Sequence, residues 1–141
     1  MSEIVRKEMV IDAKTENLDR VLEFVDSELE KFDCPMKVQM QIDVAVEELF
    51  VNIAHYAYAP DTGEAHIELE ISGDPLKISI TLKDSGIPFD PTKKEDPDVT
   101  LSAQERQIGG LGIYMVKKSM NEMKYEYSDG QNILTITKEL V

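Results

Sequence analysis

Residues 64–84 read EAHIELEISGDPLKISITLKD, and the alternation in this stretch decides the fold. Ala65, Ile67, Leu69 and Ile71 share one face of an extended chain, and Leu76, Ile78, Ile80 and Leu82 share one face of a second. Successive side chains of a strand point to opposite sides, so each segment buries one face and wets the other. Gly73-Asp74-Pro75 between them is turn chemistry, and the pair reads as an antiparallel hairpin. A second hairpin closes the chain, MKYEYS (123–128) and NILTITK (132–138) joined by Asp129-Gly130. Far upstream, IVRKEMVID (4–12) partly alternates and reads as a first strand.

Two helices separate that strand from the first hairpin. Leu18, Val21, Leu22, Val25, Leu29 and Phe32 fall at helical spacing over 18–32, with Thr15 as the expected N-cap and Cys34-Pro35 as the stop. The second helix runs from about 36 to 58, with Val38, Ile42, Ala45, Val46, Leu49 and Ile53 on one side, before a turn at Pro60, Asp61 and Gly63. Between the hairpins, Ser85–Ile108 holds Pro88, Pro91, Pro97 and the run Lys93-Lys94-Glu95-Asp96, with little apolar period. A loop this long is rare in a compact domain unless it is functional or mobile. Gly109-Gly110-Leu111-Gly112 then opens a short helix to about Glu122. The order β-α-α-β-β-loop-α-β-β predicts an α+β two-layer sandwich, helices on one face of a mixed, mainly antiparallel sheet, as a single domain over 1–141.

Composition narrows the function. The 141 residues carry 28 Asp+Glu against 15 Lys+Arg, a net charge of −13. Nucleic-acid affinity comes mainly from Lys and Arg neutralising phosphates, so this balance argues against DNA or RNA, and equally against an anionic membrane surface. No apolar run approaches the roughly 18 residues of a membrane span, and the first twenty residues lack a signal-peptide core. The lone Cys34 forms no internal disulfide, and His55 and His66 lie too far apart in sequence to suggest a metal pair. The expectation is a soluble, cytoplasmic protein.

Three places carry chemistry. Glu48 and Asn52 stand four apart on the second helix, on a stripe bordering its apolar face. A carboxylate beside a carboxamide oxygen suits a hard cation such as Mg²⁺ or the positioning of a hydroxyl, whereas the plain alternative is a solvated helix edge. Asp84-Ser85-Gly86 closes a strand, where Asp84 can accept a hydrogen bond from a ligand amine and Gly86 lets backbone approach; an Asx turn is the alternative. Gly109, Gly110, Leu111 and Gly112 precede a helix whose free N–H groups attract phosphate, or else form a simple hinge. Neither a Walker A loop nor the dinucleotide GxGxxG is present, since Met115 stands where the third glycine would be. Together the three supply magnesium, base and phosphate contacts for a nucleoside triphosphate.

The ordered set Glu48-x-x-x-Asn52, Asp84-x-Gly86 and Gly110-x-Gly112 resembles the N, G1 and G2 boxes of the GHKL (Bergerat-fold) ATPases. Within them the chain looks most like the small anti-sigma-factor serine kinases of bacteria, chiefly through VEELFVNIAHYAY and GGLGIYMVKKSMNEMKYEYSDGQNILTITK. The resemblance implies ATP as nucleotide, with Asn52 ligating Mg²⁺ and Glu48 as the base that takes a proton from a serine hydroxyl. It implies Asp84 on the adenine amine, Gly86 making room for the ring, residues 87–108 as a lid that Gly110 and Gly112 let fold over the phosphates, and Gly109, Gly110, Leu111 and Gly112 as nucleotide-binding. Its partners would be a sigma factor and an anti-anti-sigma-type antagonist, and the first strand's edge would suit a homodimer.

The chain departs from the family pattern at several positions. Pro88 replaces the second glycine of DxGxG, and Arg106 is the nearest candidate for the arginine that reaches the terminal phosphate. Gln131 and Asn132 follow the last hairpin glycine where threonine is common, and Tyr56 takes the place of a histidine, with His55 one position early. Pro88 and the displaced arginine favour a second reading, a nucleotide-sensing interaction switch without turnover. A histidine-kinase ATPase domain is a third, although no phosphoacceptor helix is evident.

Overall fold

The structure is a computed structural model and describes residues 4–93 and 110–140. Five strands make one sheet: β1 (Val5–Asp12), β2 (Glu64–Ser72), β3 (Lys77–Asp84), β4 (Glu122–Ser128) and β5 (Gln131–Glu139). Their order is β1-β2-β3-β5-β4, and all four ladders are antiparallel, so among the described residues the sheet is not mixed. Among the described residues three α-helices pack with it: α1 (Leu18–Lys31), α2 (Met36–Asn52) and α3 (Gly110–Ser119).

The alternation read from residues 64–84 becomes register. Ile67 pairs with Leu82, Leu69 with Ile80 and Ile71 with Ile78, all buried on one face. That face packs against Val21, Val25 and Leu29 of α1, Ile42, Val46 and Phe50 of α2, and Ile113 and Val116 of α3 in one core. Burial of this apolar surface is the main force holding the two layers together. The opposite face carries Arg6–Glu70 and Lys83–Glu68 ion pairs and the hydroxyl pairs Ser79–Thr137 and Thr81–Thr135. Asp129 and Gly130 both have positive φ, 53° and 77°, as the two-residue turn joining β4 to β5 requires.

Two helix ends differ from expectation. Thr15 does not stand at the cap of α1; it starts a three-residue 3-10 turn, Thr15–Asn17. Asn17 stands at the cap position instead and donates to the Asp12 carbonyl at 2.9 Å, anchoring the turn to the end of β1. The helix expected to end near Glu122 stops at Ser119, because Asn121 and Glu122 already join the sheet: the Asn121 N–H donates to the Thr137 carbonyl at 2.8 Å.

Between α1 and α2, Asp26 and Asp43 face each other, and Oδ1 of each is buried without a hydrogen-bond partner. Two carboxylates offer each other no donor until one is protonated. Burial, with Asp26 and then Glu30 adding, pushes Asp43 up to about 8. Burial, then Asp43 and Asp26, raises the neighbouring Cys34 thiol, and the side chain packs against the core.

Candidate functional site

Helix α2 does not end in a plain cap. A wider turn, Ile53–Ala57, prolongs it and sets Tyr56 and Ala57 beside the end of β3. Wide turns of this kind interrupt helices mostly where a site needs a re-aimed side chain. There a cavity of about 420 Å³ opens, lined by Leu49, Asn52, Ile53, Leu82, Ile113 and Leu134 among others, with Asp84, Tyr125 and Asn132 as polar groups. A mostly apolar cleft with a few convergent polar groups is the usual form of a small-molecule site.

Asp84 continues the inward face of β3 after Ile78, Ile80 and Leu82, and it is buried at 6% exposure. Its partner in the β3–β5 ladder is Asn132, also at 6% and also on an otherwise apolar face with Leu134 and Ile136. The Asn132 amide donates to Asp84 Oδ1 at 2.9 Å and to the Ile87 carbonyl at 2.9 Å. Its oxygen accepts the Phe89 N–H at 3.1 Å and the Tyr125 hydroxyl. Gly86 donates its N–H to the same Asp84 Oδ1 at 2.9 Å. Burial, with Asp90 and Asp84 adding to it and the Phe89 backbone opposing it, raises the Tyr125 hydroxyl above its ordinary value, so it stays a donor.

The sequence candidates divide clearly. Asn52 and Asp84 line one cavity. Gly86 lies so close to the Ala57 carbonyl that no Cβ would fit, and the Ile87 N–H donates to that carbonyl at 2.9 Å. Gly110 opens α3 and Leu111 follows it. Gly112 sits directly against the half-buried Glu48 carboxylate. Arg106, Gly109 and residues 94–108 of the expected lid lie outside the described residues. Pro88 lines the cavity where a glycine was expected, as does Tyr56 in its histidine position.

Asn132 and Tyr125 were not among the sequence candidates. The signal available was a polar side chain at the start of the inward series Asn132, Leu134, Ile136. No group of three His, Cys, Asp or Glu among the described residues could hold a metal ion. Among the described residues no helix is long and apolar enough to cross a membrane.

Residues 11–138 match the family described as the histidine kinase-like ATPase domain. The chain is 28% identical over 101 residues to the serine/threonine-protein kinase BtrW of Bordetella bronchiseptica, covering 72% of this chain and 70% of that protein. It is 30% identical over 98 residues to the serine-protein kinase RsbW of Listeria monocytogenes, covering 66% of this chain but only 61% of that protein. Among solved structures it superposes on the RsbU and RsbW domains of a Mycobacterium tuberculosis protein with a TM-score of 0.65 at 15% identity, over 96% of this chain and 32% of that one. The histidine kinase domain of a blue-light activated histidine kinase from Erythrobacter litoralis gives 0.53 at 17% identity, over 89% of this chain and 60% of that one. At these identities the two structures speak for the fold alone.

Proposed function

The chain belongs to the histidine kinase-like ATPase domain family, and from that premise we propose that it binds ATP with Mg²⁺ and phosphorylates a serine of a partner protein as an anti-sigma regulator. The observation that carries this reading is the buried Asp84 carboxylate at the end of an apolar cavity that Asn52 also lines. An adenine ring is flat and apolar on its faces, with one exocyclic amine to satisfy. Leu49, Ile53, Leu82, Ile113 and Leu134 supply the walls, and Asp84 the acceptor.

Each residue then has a role. Asp84 accepts from the adenine amine, and Gly86, lacking a Cβ, lets the strand-end backbone close onto Ala57. Asn52 is the protein's oxygen ligand for Mg²⁺. The ion, when bound, neutralises phosphate charge. Gly110, Leu111 and Gly112 bring the α3 N-terminus, the positive end of its dipole, toward the phosphates, with Gly109 as a further nucleotide contact and Arg106 on the terminal phosphate. Glu48 removes the proton from the serine hydroxyl as its oxygen bonds to the γ-phosphorus and the bond to the β,γ-bridging oxygen breaks, releasing ADP. Catalysis of this kind rests on positioning and charge stabilisation.

The names of the two kinase relatives support the protein-serine acceptor. In this reading the acceptor is an anti-anti-sigma-type antagonist and the second partner a sigma factor, with ATP or ADP biasing which is held by differential affinity. The protein acts in the cytoplasm as a single domain, as a homodimer paired through the outer edge of β1. Pro88 in the cavity lining favours the second reading, a nucleotide-sensing switch without turnover.

Calorimetric titration of Mg²⁺-ATP and ADP tests the proposal. Saturable binding is expected, lost in Asp84→Ala and made insensitive to magnesium in Asn52→Ala. No binding at millimolar nucleotide overturns it. Binding without phosphorylation of a verified antagonist selects the switch.

A further inference from the structure

Ala57 and Tyr58, at the end of the wide turn that prolongs α2, hold three successive residues beyond β3. The β2–β3 ladder stops at Ala65 opposite Asp84, and the next pair in that register is Glu64 opposite Ser85. The Tyr58 hydroxyl stands in that rung. It accepts the Ser85 N–H at 2.8 Å and donates to the Glu64 carbonyl at 2.6 Å, so both backbone groups are satisfied through the side chain. One residue back, the Ala57 carbonyl accepts the Ile87 N–H at 2.9 Å and leaves no room for a Cβ on Gly86. The phenol is confined as well. Its ring fills the space that a Cβ on Gly63 would take, and the Tyr58 carbonyl accepts the Asp61 N–H at 2.8 Å. Gly63 is tied in turn to the end of β1, its carbonyl accepting the Ala13 N–H at 2.8 Å.

We propose that Tyr58 is a positioning residue whose hydroxyl is a wedge: it parts β3 from β2 just beyond Asp84, turns the chain over the cavity, and sets the spacing between the helix side and the strand side of the site. This inference rests on the ATP reading of the site. Asn52 directly precedes the turn Ile53–Ala57, and Asp84 directly precedes Ser85. Both line the cavity, one from a helix and the other from a strand, and helix and strand share no backbone ladder. A ligand that touches both at once depends on their separation. The contacts of Ala57 and Tyr58 with residues 85–87 tie the two elements together at this point. Without the hydroxyl, Glu64 and Ser85 either close into an ordinary rung or turn to water. In the first case the wall that follows, Ile87, Pro88 and Phe89, is drawn toward β2; in the second it loosens. Either change separates the two sides of the site from the geometry the ligand needs, and the cost appears as lost affinity.

The test titrates Mg²⁺-ATP calorimetrically into the full chain and follows amide hydrogen exchange by NMR. Tyr58→Phe keeps the ring against Gly63 and removes only the hydroxyl. It is expected to bind ATP about tenfold more weakly than wild type. The Ser85 and Ile87 amides should lose exchange protection while the β2–β3 ladder amides keep theirs. Tyr58→para-aminophenylalanine restores a donor for Glu64 and a lone pair for Ser85, and should recover most of the affinity. Ile71→Val, a core change at the opposite end of β2 from Ala65, controls for stability and should bind ATP within about twofold of wild type. A folded Tyr58→Phe protein with wild-type affinity overturns the proposal. Equal weakening in Ile71→Val overturns the positioning role, because the loss then follows stability alone. Where Tyr58→Phe does not fold, the amino variant decides: affinity near wild type supports the wedge, and a tenfold loss in folded protein overturns it. Wild-type protein that binds no ATP overturns the nucleotide reading and this inference together, a distinct result.

Discussion

Gly112 of α3 and Glu48 of α2 stand so close that a methyl group on Gly112 would occupy the space of the Glu48 carboxylate. The obstacle is the far end of a flexible side chain and not backbone, so the fold can absorb it by moving Glu48. Gly112→Ala should therefore keep its melting temperature within a few degrees and still bind nucleotide. Phosphoryl transfer should fall by about tenfold to a hundredfold, since a displacement of about 1 Å at a reacting group costs on that order. Single-turnover kinetics beside a nucleotide titration separate the two, and a variant with wild-type turnover would remove Glu48 from the reaction.

Glu48→Gln isolates the proton transfer itself. The amide keeps the size of the side chain and removes its basicity. A general base contributes about 10²–10⁴-fold, so transfer should drop by that factor while the ATP dissociation constant stays within about threefold. Equal losses in binding and transfer would point to a positioning part instead.

Gly86→Ala meets a different neighbour. The new Cβ would run into the Ala57 backbone carbonyl, which is held in place by the Ile87 N–H. Backbone cannot rotate aside, so a cost of about 1–3 kcal/mol in unfolding free energy is expected, with nucleotide affinity lost as well. Urea unfolding of the two glycine variants side by side should show Gly86→Ala destabilised and Gly112→Ala nearly unchanged.

The Asp26–Asp43 pair gives the chain a pH signature. The folded protein holds the Asp43 proton up to about 8, while the unfolded chain releases it near the ordinary 3.8. The folded state therefore binds more protons across that window, and the group's contribution is full below about pH 4 and lost as pH rises toward 8. Asp43 is only half-buried, and solvent screening reduces the whole effect to about 1–2 kcal/mol. Asp43→Asn should flatten the stability profile between these limits and raise stability at pH 8. A profile unchanged by the substitution would refute the pairing.

Much of this was legible in the chain. Strand alternation places β2 and β3 to within a residue, because each strand has one wet face and one dry face, which is the condition period-2 patterning records. The start of α1 was not, since Thr15 is a good capping residue whether or not three 3-10 residues intervene. Asp84 and Asn52 could be found because strand ends and helix stripes are local properties. Asn132 could not be matched to Asp84 in the same way. Their meeting depends on the β3–β5 register, which neither strand encodes alone, although a polar residue on an apolar face marked both positions. The turn Ile53–Ala57 carries no composition that distinguishes a wider turn from ordinary helix.

The cavity also sits on a folding seam. β2–β3 and β4–β5 are hairpins that close over short turns, whereas β3–β5 joins segments far apart in the chain, Asp84 and Asn132 being 48 residues apart. Loop closure of that length is slower and entropically costlier than zipping either hairpin. The Asp84–Asn132 bond exists only once the two halves have docked, and a ligand held across it favours the docked chain by mass action, about 2.7 kcal/mol at a hundredfold excess over its dissociation constant. A nucleotide bound in this cavity would thus be a fastener between halves of the molecule that the chain brings together late.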